Sequence, residues 1–315
     1  LTGPGPTIVP SPVSAWPPVE TTPAPPAPEA EQRGRPEGWL LPLAVLVTGM
    51  FMSILDTSIV NIALNSIRQD FGSTIESAQW ISTAYALTEG AVVPASAWLG
   101  TRLGHKRLYI ISISMFTVFS ALCGISGGIT EMVVFRIGQA AFGGMIPVTC
   151  VTLIYRMVPK EKIGTAMGLF GVGVVVAPGI GPTLGGYFVE YLSWHYIYWV
   201  NVPVGIFAAF AAMRILRTEP KERSEPFDTW GFVCIAGGLF ALLLALEEGS
   251  SWGWNSYPVL GLLFLASNLL MLWVVIELQV EHPLLDVRVF LNRTFLTSVV
   301  LVAVMFVSLS AMIFY

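Results

Sequence analysis

The sequence predicts an all-α integral membrane protein, and three observations carry that prediction. Nine apolar segments of membrane length follow one another between residues 39 and 315. Hydrophobic residues make up 54% of the chain and charged residues 11%, with a mean hydropathy of +0.71, whereas a soluble domain carries roughly 25% charge. The basic residues gather in alternate loops. A soluble enzyme core is thereby excluded. The net charge of −4 says little, because in a membrane protein the placement of charge matters more than its sum.

Residues 1–38 hold 11 of the 22 prolines and no sustained apolar period, so they read as a disordered tail of polyproline character. The tail lacks the charged start, apolar core and small-residue cleavage site of a signal peptide. Apolar segments then run at about 39–64, 78–98, 108–127, 130–154, 164–188, 196–214, 229–247, 257–277 and 294–315. Each is long enough for a hydrocarbon core of about 30 Å, which takes about 20 helical residues. A charged stretch at 215–228 separates spans six and seven as a cytosolic linker. Cys123, Cys150 and Cys234 fall inside apolar segments and read as small packed hydrophobes rather than disulfide partners or metal ligands. The chain opens on Leu1 and closes on Tyr315 within the last apolar run, so a fragment of a longer protein is expected.

Topology follows from Lys and Arg. Fourteen of the 16 lie in the tail or in alternate loops, among them Arg102, Lys106, Arg107, Arg156, Lys160, Lys162 and Arg214; Arg68 lies in the opposite set and Arg136 inside a span. The positive-inside rule then places the N-terminus in the cytoplasm. One helix more or fewer would scramble the alternation, so the charges support the span count independently.

Ionisable side chains within spans carry the functional signal, since each costs at least ~2.5–3.5 kcal/mol at the bilayer centre. Three stand out: Asp56, Glu89 and Arg136. Asp56 precedes the outer end of span one by about eight residues, and Arg136 follows the outer start of span four by about six. At 1.5 Å per residue both lie roughly 9–12 Å below the outer boundary, a depth at which they can pair. Such a pair is either a proton site, with the arginine stabilising the carboxylate and yielding when it protonates, or a permanent structural ion pair. Glu89, near the middle of span two, is either a neutral hydrogen-bonded group or a cavity carboxyl that attracts cations or carries a proton. Glu131, Glu247 and Glu248 belong to span boundaries.

Span five breaks the rules of its own helix. Gly171, Gly173, Pro178, Gly179, Gly181, Pro182, Gly185 and Gly186 fall within it. Each proline removes a backbone donor, leaving the carbonyls of Val174 and Pro178 without their i+4 partners, and the glycines leave a surface that another backbone can approach. In lipid such a helix persists if its neighbours satisfy the freed groups. A moving part is expected rather than a static kink.

These residues, taken with their neighbours, resemble the major facilitator superfamily, and within it the EmrB/QacA-like drug:proton antiporters with fourteen spans. Leu55-Asp56-Thr57-Ser58-Ile59-Val60-Asn61-Ile62-Ala63-Leu64 is similar to the signature LDxTIVNVALP. Trp98 to Arg107 resembles the superfamily loop GxLADRxGRK, keeping Arg102 and Gly104 but with Ala97 for the first Gly and Thr101 for the acid. Arg136-Ile137-Gly138-Gln139 matches RxxQ of span four, followed by Ala140 where Gly is usual. Ala177 to Gly186 is similar to the antiporter motif GPxxGG, with Gly181, Pro182, Gly185 and Gly186 in place. Trp194 to Gly205 resembles WRWIFxINVPIG, including Asn201 and Pro203, with His195 for Arg.

The resemblance implies a major facilitator fold: a complete N-terminal bundle of six helices at 39–214, accessory spans seven and eight at 229–277, and at 278–315 a loop and the first span of an incomplete C-terminal bundle, truncated. It implies proton-driven export of amphipathic, cationic compounds by alternating access, at the plasma (inner) membrane. Asp56, Glu89 and Arg136 are its proton-coupling and substrate residues, and Arg102, Gly104, Gln139, Gly181, Pro182, Gly185, Gly186, Asn201 and Pro203 its gating residues. No cofactor is expected beyond the proton-motive force, and no metal. The expected partners are the bilayer, protons and a small amphipathic substrate, without nucleic acid; a double-membrane envelope would add a periplasmic adaptor and outer-membrane channel. Export of a specific metabolite or siderophore is the alternative. A polytopic receptor has no need of the glycine-proline span, and a membrane enzyme would need a metal-spaced cluster, a G-x-S-x-G turn or a phosphate-binding loop, none of which the loops offer.

Overall fold

A computed structural model describes residues 38–218, 226–280 and 283–314. The tail, apart from Gly38, and residues 219–225 of the linker lie outside the described residues. Everything regular among them is helical: α1 (Leu40–Asp70), α2 (Ile75–Leu103), α3 (His105–Cys123), α4 (Ile129–Gly143), α5 (Met145–Met157), α6 (Ile163–Tyr191), α7 (His195–Trp199), α8 (Asn201–Ile215), α9 (Thr229–Trp252), α10 (Tyr257–Gln279) and α11 (Arg293–Phe314).

The nine expected spans all correspond to helices, with two interruptions. Span four divides at Gly144 into α4 and α5, and span six divides at Val200 into α7 and α8. Both breaks have the same cause. Pro147 and Pro203 lack the donor that the carbonyls of Gly143 and Trp199 would use four residues on. Seven of the spans are long and apolar enough to cross a membrane by composition: α1, α3, α4 with α5, α6, α7 with α8, α9 and α10. The other two differ for separate reasons. α2 is 29 residues long, but Gln79, Ser82, Thr83, Thr88 and Glu89 dilute its apolar content. α11 registers as apolar over Arg293–Met305.

The core has two parts. One, toward the N-terminal half of α1, gathers Leu46, Tyr109, Ile113, Phe116, Ile146 and Leu153. The other, toward its C-terminal half, gathers Ile59, Ala63, Ile67, Ile81, Trp194 and Ile197. On α1 the fully enclosed residues include Met52, Asp56, Ile59, Val60, Ala63 and Ile67, the i, i+3, i+4 spacing of one helix face. Asp56 therefore points into the packed bundle, and the exposed Thr57 and Asn61 take the neighbouring face.

Polar fasteners hold the helices to each other. Tyr109 Oη on α3 donates to Val45 O at 2.9 Å and Cys150 Sγ on α5 to Leu46 O at 3.4 Å. Lys106 Nζ donates to Met213 O at 3.1 Å, meeting a carbonyl in the last turn of α8 that has no helical donor. At the opposite end Trp194 Nε1 donates to Asp70 Oδ2 at 3.0 Å, with the Trp194 ring stacked on His195. α9 runs antiparallel beside α2: Thr83 Oγ1 donates to Glu247 Oε1 at 3.2 Å, Leu243 closes on Gly90, and Phe227, just before α9, packs tilted against Trp98 with ring centroids 4.5 Å apart.

Candidate functional site

Six helices meet at one enclosed polar cluster. Arg136 Nη1 on α4 lies 2.6 Å from Asp56 Oδ2 on α1 and donates to Gln139 Oε1 at 2.7 Å. Gln139 Nε2 donates to Asp56 Oδ1 at 3.0 Å, and Asn201 Nδ2, on the first residue of α8, donates to the same oxygen at 2.7 Å. Asn201 reaches Ser120 Oγ of α3 at 3.1 Å, and Ser120 passes its own hydrogen to Tyr198 O at 2.9 Å. The guanidinium lies over the Tyr85 ring at 4.0 Å, with the Tyr198 ring 5.9 Å away on α7. Arg136 Nε completes the set with a long bond to Ile81 O, 3.4 Å.

The local sequence explains each placement. Arg136 and Gln139 stand three residues apart and so share a face of α4. Asn201 reaches inward because the Val200 break starts a new helix there. Asp56 is 0% exposed and Arg136 1%, and three donors occupy the carboxylate. A buried pair so completely hydrogen-bonded is stable while intact, and removing one partner costs about 3–5 kcal/mol. Chemically, the cluster holds one enclosed carboxylate among three donors.

The sequence placed Asp56 and Arg136 at one depth, and the structure brings them together. Asp56 lies on the packed face of α1. Glu89 lies apart from the ion pair. It is half-buried on α2, where a side chain on Gly144 would press on it, 3.1 Å from its Cγ. Arg102 stacks on Trp98 at 4.9 Å at the end of α2, and Thr101, in the acid's place, turns its hydroxyl back to Trp98 O. Gly104 closes α2 at φ +87°, a backbone region that only glycine enters freely.

On span five, whose glycines were read as a surface that another backbone can approach, Gly181 and Gly185 abut α1. A Cβ on Gly181 would collide with Ser58 Oγ, and one on Gly185 would sit 3.0 Å from Ile59 Cγ1 and 3.1 Å from Ile59 O. That approach lets Ser58 Oγ donate to Pro178 O at 3.1 Å, the carbonyl left orphaned by Pro182. Gly186, like Gly171 and Gly179, has open space where a side chain would be. α6 therefore has one glycine face on α1 and a second one free.

Residues outside the sequence reading complete the site. Tyr85, Tyr198 and Ser120 carry no signal of their own, because an aromatic or a serine in an apolar helix reads as packing. The Gly143-Gly144 pair was readable beside Pro147. Glu277, 2% exposed near the end of α10, accepts from Trp273 Nε1 at 2.8 Å and from Leu285 N.

Comparison with known proteins agrees with this architecture. A sequence profile of the Major Facilitator Superfamily matches residues 46–315. An uncharacterized MFS-type transporter, YhcA of Bacillus subtilis, is 32% identical over 267 residues, 85% of this chain and 50% of its own length. Multidrug export protein EmrB of Haemophilus influenzae is 33% identical over 258 residues, 81% of this chain and 50% of that protein. The tetracenomycin C resistance and export protein of Streptomyces glaucescens is 32% identical over 289 residues, 91% and 53%. The chain thus spans about half the length of the curated relatives it matches. Among solved structures, a peptide transporter POT in complex with sulfate superposes with a TM-score of 0.56 at 13% identity over 76% of this chain and 52% of its own. A D-xylose-proton symporter gives 0.50 at 14% over 76% and 68%; at such identity these show the fold alone. Apolar helices of membrane length, a bundle centred on an enclosed ion pair, and a profile match across most of the chain lead to one conclusion: the protein belongs to the major facilitator superfamily, a family of multi-pass membrane transporters and not of enzymes.

Proposed function

We propose that the full-length protein containing this chain is a proton-driven exporter of amphipathic, cationic compounds, of the fourteen-span EmrB/QacA-like group, working by alternating access from the plasma membrane with its N-terminus in the cytoplasm. The proton-motive force is its energy source. The observation that carries the reading is Asp56, a carboxylate 0% exposed on a membrane helix and held by Arg136, Gln139 and Asn201 at once. Protonation would cancel the charge that holds Arg136 and loosen α1, α4 and α8 together, which gives a proton leverage over helix packing. Relatives named for multidrug export and for tetracenomycin C export support an outward cargo. The second of these, named for a single compound, also supports the alternative of a dedicated metabolite exporter.

The test is Asp56→Asn in the full-length protein, assayed in everted vesicles. Proton-driven uptake of a cationic dye should be abolished at normal membrane levels, because asparagine keeps the shape and cannot take up the proton. Undiminished uptake by this variant would remove Asp56 from the mechanism.

A further inference from the structure

The enclosure of Asp56 raises a question of access. No face of the carboxylate reaches solvent, and Arg136 beside it is equally covered. Glu89 is the nearest carboxyl on α2 with part of its surface open. Between the two stands Tyr85. It precedes Glu89 by four residues, so both lie on one face of α2 a single turn apart. Its ring covers the Arg136 guanidinium at 4.0 Å.

The ring is explained by that stacking; the hydroxyl is not. Tyr85 is 1% exposed, and its Oη, with the Thr57 hydroxyl of α1 beside it, makes no hydrogen bond of ordinary geometry among the described residues. Buried hydroxyls are nearly always bonded, and a phenylalanine here would stack on the arginine without leaving a polar atom orphaned. The space for the hydroxyl is moreover specifically provided. A Cβ on Gly143 would come 2.7 Å from Tyr85 Oη, and one on the adjacent Gly144 would come 3.1 Å from Glu89 Cγ. The double-glycine break of span four thus leaves room for the phenol hydroxyl at Gly143 and for the Glu89 side chain at the adjacent Gly144.

We propose that Tyr85 is the relay residue through which a proton passes between Glu89 at the open surface of α2 and the enclosed Asp56. The inference rests on the reading of Asp56 as the coupling carboxylate. In the transfer, protonated Glu89 gives its hydrogen to Tyr85 Oη while the phenolic hydrogen moves on to the Asp56 carboxylate as it parts from Arg136. Glu89 is left ionised and is recharged from solvent; Tyr85 begins and ends neutral, since a phenol can accept and donate at one oxygen. Arg136 keeps its charge throughout and is released to new partners.

The experiment compares full-length wild type, Tyr85→Phe, Glu89→Gln and Asp56→Asn in everted vesicles. It reads both proton-driven dye uptake and gradient-free exchange of labelled for unlabelled dye. Tyr85→Phe should lower proton-driven uptake about tenfold or more and leave exchange unchanged. Glu89→Gln should likewise lower proton-driven uptake, and the double variant should be no worse than the weaker single one, as for two steps of one path. If Asp56→Asn is inactive but Tyr85→Phe pumps like wild type, the relay is wrong and the coupling reading stands. A Tyr85→Phe defect in exchange equal to that in uptake assigns the hydroxyl a structural role and also overturns the relay. Normal uptake by Asp56→Asn overturns both. Should the Phe variant fail to accumulate, Gly143→Ala, which displaces the hydroxyl and keeps the phenol, is read by the same two assays.

Discussion

Loss of either Asp56 or Arg136 strips the other of its counter-charge. Arg136→Ala leaves a carboxylate dry and facing only Gln139 and Asn201, so the full-length protein should lose about 3–5 kcal/mol. Asp56→Asn leaves the buried Arg136 guanidinium without its counter-charge and should cost a similar amount while also abolishing proton-driven transport. Thermal unfolding in detergent checks the cost; unchanged melting in both variants would mean that the pair contributes no buried-charge penalty. A smaller effect belongs to Ser58. Its hydroxyl meets the carbonyl that Pro182 orphans, so Ser58→Ala should cost about 1–3 kcal/mol, read in the same melting assay, and an unchanged midpoint would mean that water or a backbone shift supplies the donor. At this scale the charged half of the site was legible, because an ionised group in an apolar run has no cheap explanation. Gln139 and Asn201 came through resemblance alone. Tyr85, Tyr198 and Ser120 were hidden, since only the three-dimensional arrangement distinguishes a tyrosine that covers a cation from one that fills space.

The helices themselves were easier to read than their faces. Length and hydropathy locate a span, but the interruptions at Gly144 and Val200 needed the prolines three residues later to be read as missing donors to Gly143 and Trp199. The wider misreading concerned α6, whose glycines were taken as one surface. Their spacing holds two: Gly173, Ala177, Gly181 and Gly185 recur every four residues and lie against α1, while Gly171, Gly179 and Gly186 point to open space. Replacing Gly181 and Gly185 together by Leu should therefore force α6 from α1, break the Ser58 to Pro178 bond and stop transport, with insertion intact because each span remains apolar. Replacing Gly171 and Gly179 by Leu should leave α6 seated on α1. Cross-linking between cysteines placed on α1 and α6 reports the seating directly. Normal transport and normal cross-linking in the first variant would mean that the bundle tolerates a displaced α6 and that the close approach serves no gate.

For the whole molecule, the alternation of basic loops and the helix order predict one orientation. In a background without Cys123, Cys150 and Cys234, a cysteine at Thr101 should escape labelling from outside intact cells and one at Asn255, exposed in the turn between α9 and α10, should be labelled. The reverse pattern would invert every depth argument, including the shared level of Asp56 and Arg136. The final prediction concerns what the described helices can do by themselves. Alternating access in this superfamily rocks one bundle against another around a site at their interface. Here the six-span bundle carries its ion pair inside, its open-faced glycines on α6 and its polar Thr57 and Asn61 on the exposed side of α1, and the matched relatives are about twice as long. The ion pair lies within these 315 residues, which span about half the length of the relatives. Expressed by itself, the chain should reach the membrane and melt cooperatively, and Arg136→Ala should still destabilise it, yet it should give no proton-dependent dye efflux. Co-expression of the remaining spans should restore efflux to the extent that the halves associate. Robust efflux from the isolated chain would require a second copy to close the cavity, and cross-linking across the open face of α6 through a cysteine at Gly179 would then capture that dimer.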